Sequence, residues 1–421
     1  MKWLIVGGGV HGTVMGTALV RYGVPRSELA IVDPWPQLMH LWNQRIDNCG
    51  MHFLRSPAAH GILPEFTSLR RWARTHGYVD NTNYRPPYAR PSVPLFRAYA
   101  EWAVEHSGVS ASHIRGTVRA ISRVGDSWEV QTDAGLTVIT RHVILATGRT
   151  AGDGEPLLRS PQWATGIPAV RHVLDAHFDR GSFLSAASPV VVGAGATAVH
   201  LAVSLGRAGR HVRLLTRDHA RIHQFDSEPC FIGPECYQTF LQTEELSARR
   251  SLIRDARHPG SIPEDLFREL QEQRSAGRVE LILDEITQAG QEPRGVVLRG
   301  RNALYRSDAV ALGTGFRSDI PSAGLLDQIE DASDGPLSRE STGMPVPDET
   351  LQWTRRLYLT GSLAELELGP TAPNIIGAHN AAKRIVSHLS GAAARIPRSW
   401  RSYFADADHA PESSPRSAGP C

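Results

Sequence analysis

Two glycine turns lie far apart in this chain, Gly7-Gly8-Gly9-Val10-His11-Gly12 and Gly193-Ala194-Gly195-Ala196-Thr197-Ala198. Each follows an apolar run (KWLIV, PVVV) and opens a helix-like segment. In such a turn the first glycine permits a tight bend and the second lets the backbone approach a pyrophosphate. The following helix N-terminus then supplies N–H groups and a positive dipole. One turn of this kind says little. Two, each with matching downstream sequence, imply two dinucleotides held face to face.

The sequence around the first turn reads as strand Lys2–Val6, a helix from about Gly12 to Tyr22, and strand Leu29–Val32. Asp33 then falls about 20 residues beyond the turn, where a carboxylate can bond an adenosine ribose. From Pro34 to Pro94 the chain is dense in Pro, Arg, His and aromatics and reads as an irregular insertion that builds a site. A helix is expected over Pro94–His106, then short strands TVRAIS, SWEVQT and LTVIT, then HVILATG ending at Gly148.

The second half repeats the plan. PVVV, the turn, a helix over Ala198–Ala208 and strand HVRLL precede a polar insertion and a helix near Pro263–Ala276. Strands VELIL, GVVLRG and ALYRS follow, and DAVALGTG closes at Gly315. HVILATG and DAVALGTG are one device used twice, a buried strand delivering a small flexible turn. RRLYLTG, ending at Gly361, reads as a further strand of the first unit, and Asn374–Leu389 as an amphipathic helix. The expected fold class is therefore α/β: two Rossmann-like dinucleotide-binding domains, each with a small β-meander. The first is discontinuous, 1–165 and 315–394; the second spans 166–314; and 395–421 reads as a poorly ordered tail.

Composition removes whole classes of function. A net charge of +2 gives no field suited to nucleic acid, and no apolar run is long enough to span a membrane. Cys49, Cys230, Cys236 and Cys421 form no metal spacing, so no metal is expected and a reducing cytoplasm is the simplest location. Cys230 and Cys236 read most simply as ordinary thiols. Only Lys2 and Lys383 are lysines, which leaves few candidates for a catalytic lysine.

With these residues the chain resembles FAD- and NADPH-dependent flavoproteins with two dinucleotide-binding domains. The strings FLRSP (Phe53–Pro57), RPSVPLF (Arg90–Phe96), FDSEPCFIGPECYQTF (Phe225–Phe240) and GPTAPNIIGAHNAAKRI look like those of the N-hydroxylating branch of class B flavin monooxygenases, the lysine and ornithine N-hydroxylases. The resemblance implies that Gly7, Gly9, Gly12 and Asp33 hold FAD, with Gly148, Gly315 and Gly361 beside the cofactors. It implies that Gly193, Gly195 and Ala198 hold NADPH. Arg217 ends the second strand of that unit, where a guanidinium pairs naturally with a 2′-phosphate. The implied reaction is oxygen-dependent hydroxylation of a primary amine of a small amino-acid-like substrate, through a flavin C4a-hydroperoxide.

Arg55 stands near the family's substrate-carboxylate lysine, and is expected either to clamp that carboxylate or to sit in an ordinary ion pair or bond a cofactor phosphate. His60 and Asn374 complete the catalytic candidates; each also has a bland reading, as a structural histidine and as a helix N-cap. His172 is expected to order NADPH. Arg70, Arg71, Arg74, Arg85 and Arg90 either steer an anionic cofactor or form a solvated face. The rival function is a quinone, ferredoxin or disulfide reductase that inserts no oxygen, and oligomeric state stays open.

Overall fold

A computed structural model describes residues 1–390 apart from 79, 81, 152, 153 and 233, so the expectation for 395–421 and the last residues of the first domain lies outside the described residues. Two parallel sheets organise the chain. The first runs Gln352–Thr354, Leu357–Leu359, His142–Leu145, Trp3–Val6, Leu29–Asp33, His113–Arg115; Gln352–Thr354 alone is antiparallel to its neighbour. The second runs Val170–His172, Ala309–Leu312, Pro189–Val192, Val212–Thr216, Val279–Leu283 and is parallel throughout. Continuous apolar runs such as WLIV and AVAL are buried along their whole length, as strands covered on both faces must be.

In each sheet the strand before the glycine turn lies between the next strand and the closing strand, so chain connections diverge to either side of it. A crevice opens at the C-terminal edge of such a switch point. The duplication extends to the antiparallel meanders. Val118–Val124, Ser127–Thr132 and Thr137–Thr140 precede His142–Leu145, while Ile286–Glu292, Gly295–Gly300 and Leu304–Ser307 precede Ala309–Leu312. Past the second sheet the chain returns to the first core, where Leu325, Leu326 and Ile329 pack with Trp3, Ile5 and Leu357.

Several elements differ from expectation. The stretch 34–94 is not simply irregular; it contains helices His40–Cys49 and Ser68–Thr75, built around apolar positions such as Ile46, Leu69 and Trp72. The polar insertion of the second unit folds into helices Pro234–Gln242 and Leu246–Ala256. Among the described residues no helix is long and apolar enough to cross a membrane, and no cluster of His, Cys, Asp or Glu could hold a metal.

Ion pairs join the two units. Arg90, with 2% of its side chain exposed, meets Asp265 at 2.7 Å, and Arg85 reaches both Asp265 and Glu269. Two of the five arginines expected to steer a cofactor or face solvent are thus committed to carboxylates. Burial alone would raise the Asp265 carboxyl, but the bonds and charges of Arg90 and Arg85 hold it below its ordinary value. Its contribution to stability is full above the ordinary carboxylate range and is lost as pH falls through the lower folded value. Arg90→Met should cost about 1.5–3 kcal/mol in chemical denaturation, the span of one charge-assisted bond, because Arg85 still pairs with Asp265. A loss below about 1 kcal/mol would place this pair among the inconsequential surface ones.

Candidate active site

The first turn is built by backbone sterics. Gly7 has φ +104°, and a Cβ there would lie 2.4 Å from the Ala146 carbonyl oxygen; a Cβ on Gly12 would lie 1.8 Å from the Gly7 oxygen. These two glycines let the turn close against its own helix and the neighbouring strand. Gly9 differs: a Cβ there would meet nothing within 4 Å. Gly9 is the N-cap of helix Val10–Arg21, whose first N–H groups have no side-chain cap.

The second turn repeats this with one exchange. Gly193 has φ +135°, and its Cβ would approach the Gly313 oxygen at 2.6 Å. Ala198 stands where the first turn has Gly12, and a Cβ added to Gly313 would lie 2.6 Å from the Ala198 Cβ. The methyl of Ala198 is tolerated because Gly313 has none. Gly195 caps helix Ala196–Arg207, again without a side chain.

Around the first crevice, Asp33 ends its strand buried, with Oδ2 accepting from Gly8 N at 2.6 Å and Oδ1 from Trp35 N at 3.1 Å. Burial pushes its carboxyl up while those amides pull it down. Gly148 (φ +66°) follows strand His142–Leu145, and its missing side chain faces open space. Strand Leu357–Leu359 delivers Thr360, whose hydroxyl lies 2.9 Å from His11 Nδ1. Gly361 lies next to the same imidazole, and Ser362 is buried with its hydroxyl unpartnered. Helix Ile375–Ser390 begins beside them, and burial lowers His11 to about 4 against the Pro373 and Asn374 carbonyls.

The second crevice is lined by the ends of its own strands. Gly315 has φ +78° and open space where a side chain would stand. His172 ends the edge strand Val170–His172 near Gly315; its Nδ1 accepts from Leu174 N at 3.1 Å and burial lowers it to about 4. Arg217 follows Val212–Thr216, has 71% of its side chain exposed and pairs with the similarly open Asp218 at 3.3 Å.

The three catalytic candidates fare differently. The Arg55 guanidinium donates to the carbonyls of Gln224 (2.8 Å), His223 (2.7 Å) and Ser261 (3.3 Å) and to the Ser261 hydroxyl (2.8 Å). It ties the first unit to the second and has little capacity left for a substrate carboxylate. Asn374 occupies the residue before helix Ile375–Ser390, and its side chain donates to Asp226 of the second unit at 3.1 Å. His60 is 3% exposed, and its Nε2 has no partner. Burial lowers His60 to about 3, so the ring is neutral.

Among the buried polar atoms without a partner, His60 Nε2, Ser362 Oγ and Thr371 Oγ1 belong to the first unit and Thr216 Oγ1 to the second. Such groups are uncommon in folded proteins and call for a partner, a bound ligand among the candidates. The open Gly9 N-terminus and these atoms fit a dinucleotide. Sequence reasoning missed the pairs His11–Thr360 and Asn374–Asp226, because the partners lie 349 and 148 positions apart; His379, which bonds the Gly61 carbonyl at 2.8 Å, was hidden in a helix pattern.

The buried imidazoles make pH dependence testable. Each is neutral when folded and protonates freely when unfolded, so the unfolded chain binds more protons below 6.5. Stability therefore falls from that value toward the lowered folded ones, by about 1.4 kcal/mol per pH unit for each ring. His60→Phe should make the slope of unfolding free energy shallower by about that one increment between about pH 6 and 4. An unchanged slope would mean the ring is hydrated.

Comparison with known proteins places this geometry. Residues 4–150 match the family model described as FAD-NAD(P)-binding, and no curated protein matches the chain. Among solved structures, the FAD-bound cadaverine monooxygenase DfoA of Erwinia amylovora superposes with TM-score 0.71 at 14% identity, covering 94% of this chain and 96% of that one. The ornithine N-hydroxylase KtzI of Kutzneria sp. 744 gives TM-score 0.71 at 17% identity, covering 93% and 99%. The bacillithiol disulfide reductase of Staphylococcus aureus is less similar, with TM-score 0.59 at 14% identity over 93% and 98%. The chain has the two-unit FAD/NAD(P)-binding flavoprotein fold.

Proposed function

We propose that the protein is an FAD-dependent, NADPH- and O2-using monooxygenase that hydroxylates the nitrogen of a small primary amine. The observation that carries this is the end-to-end match to N-hydroxylating enzymes together with two uncapped glycine-turn helices. On this reading the N–H groups at Gly9 and the following turn hold the FAD pyrophosphate, Asp33 the adenosine ribose and Ser362 the ribityl chain. The positive end of helix Ile375–Ser390 faces the flavin pyrimidine. Gly193, Gly195 and Ala198 hold the NADPH pyrophosphate, and Arg217 its 2′-phosphate.

FAD, when bound, supplies hydride acceptance from NADPH and activation of oxygen. The chain's own task is to bind, orient and keep the crevice dry. Neutral His60 and His11 offer hydrogen bonds without bringing a cation beside the flavin. Arg55, closed on three carbonyls, supplies no free clamp for an α-carboxylate, so the amine is the group that the substrate must carry. Asp226, exposed and held by Asn374, is a carboxylate suited to the cationic end of an amine. The neighbours DfoA and KtzI are named for cadaverine and ornithine, amines without and with a carboxylate.

A disulfide reductase is the second reading, favoured by the weaker likeness and by a Cys230–Cys236 bond. An amine panel separates the two. Amine-dependent NADPH oxidation with hydroxylamine formation, and a transient absorbance when reduced protein meets oxygen, are expected of the monooxygenase. Direct return of the oxidised flavin spectrum with no hydroxylamine from any amine, coupled to disulfide or quinone reduction, would overturn it.

A further inference from the structure

Cys230 and Cys236 were expected to be ordinary thiols, yet they are joined in a disulfide. Residue types alone could not reveal this, because the bond depends on how a tight turn meets a helix. Cys230 lies in the turn Pro229–Ile232 and Cys236 in the first turns of helix Pro234–Gln242, and both are partly exposed. The bond closes a loop of sequence separation 6, so it restricts the unfolded chain less than a long-range bridge does. What it fixes is local.

The residues beside it pack the second unit's insertion against the first unit. Phe231, Tyr237 and Phe240 pack with Met344 and Leu366 of the first unit. Phe225 and Ile232 pack on Ile376, one residue into the helix that begins at the candidate flavin site, with Phe66 and Tyr88 against them. Helix Pro234–Gln242 has ties of its own: Arg384 reaches the Tyr237 hydroxyl, and Arg249 bonds the Leu241 carbonyl at 3.1 Å. The turn carrying Ile232 bonds Phe231 N to the Glu228 carbonyl at 3.2 Å, and the disulfide pins that turn to the anchored helix.

We propose that Cys230–Cys236 is a thiol-exchange site whose reduction by a dithiol releases the Phe225–Ile232 wall that packs on Ile376. One thiolate of the dithiol attacks a cysteine sulfur, breaking the S–S bond and expelling the other cysteine as thiolate. The dithiol's second thiol then resolves the mixed disulfide. Two electrons and two protons pass to the protein, leaving two cysteine thiols and one cyclic disulfide. Cys49 does not compete: it is buried, bonds the Ile46 carbonyl, and burial pushes its thiol up to about 12. On the proposed function this wall borders the amine, so exchange weakens amine binding while leaving both glycine turns intact.

The test uses the full chain purified without reductant and needs neither amine nor oxygen. Alkylation with peptide mapping should find Cys230 and Cys236 blocked until dithiothreitol is added under native conditions. Amide hydrogen exchange over 225–232 should then quicken by about tenfold or more, as expected when a local cross-link is cut, while residues 5–20 and 190–205 keep their rates. A Cys230→Ser/Cys236→Ser variant should show the fast exchange without dithiol. Free thiols in the untreated protein, resistance to dithiol until global unfolding, or unchanged exchange after reduction would each overturn the proposal. Failure of the amine assay would leave this result standing and would count against the proposed function alone.

Discussion

Gly9→Val is expected to give a folded protein that no longer retains FAD. A Cβ at Gly9 meets no protein atom within 4 Å, and its φ of −71° suits any L residue, so the substitution costs the apo fold little. The space it fills is the space in front of an uncapped helix N-terminus. Losing two charge-assisted contacts there, at about 1.5–3 kcal/mol each, weakens FAD binding on the order of 100-fold or more. The contrast with Gly12 makes the test specific. A Cβ at Gly12 would overlap the Gly7 carbonyl at 1.8 Å, so Gly12→Val should lower stability as well as colour. Full flavin occupancy in Gly9→Val, by absorbance of the purified protein and by titration, would show that the open space is solvent.

Arg217→Ala should raise the KM for NADPH by about 10–100-fold, the span of one charge-assisted bond to phosphate, with NADH kinetics changed less than about twofold. The guanidinium is exposed, and its ion pair with Asp218 is a surface one that a phosphate dianion outcompetes. Lysine should restore part of the preference, since it keeps the charge but not the planar fork. Equal losses with both nucleotides would place Arg217 outside the 2′-phosphate site.

The two crevices were legible because backbone sterics write themselves into sequence. A turn that must pass 2.4 Å from a carbonyl where a Cβ would stand requires glycine, and buried parallel strands require runs such as WLIV and AVAL. Elements with weaker demands were not legible. His113–Arg115 is a three-residue edge strand with little apolar content, and Ile286–Glu292 buries only Ile286 fully among its seven residues. Val170–His172 forms because Ala309–Leu312 offers it a partner, a cause that lies far along the chain.

Side-chain roles were harder than folds. Arg55 looks like a free cation in sequence, because nothing local reveals that the carbonyls of His223, Gln224 and Ser261 converge on it. Asn374 meets Asp226 and Cys230 meets Cys236 for similar reasons: the partners are set by how the second unit's insertion packs on the first. Residue type announces chemistry, but only packing decides which donors are already spent.

In the proposed reaction a flavin and a phosphorylated nicotinamide bind together with their reactive rings in contact. Anaerobic mixing of FAD-loaded protein with NADPH deuterated at the transferring carbon tests this most directly. Rapid bleaching of the flavin, slowed severalfold by deuterium as hydride transfer requires, is the predicted result. A flavin that binds but stays oxidised in excess NADPH would contradict it.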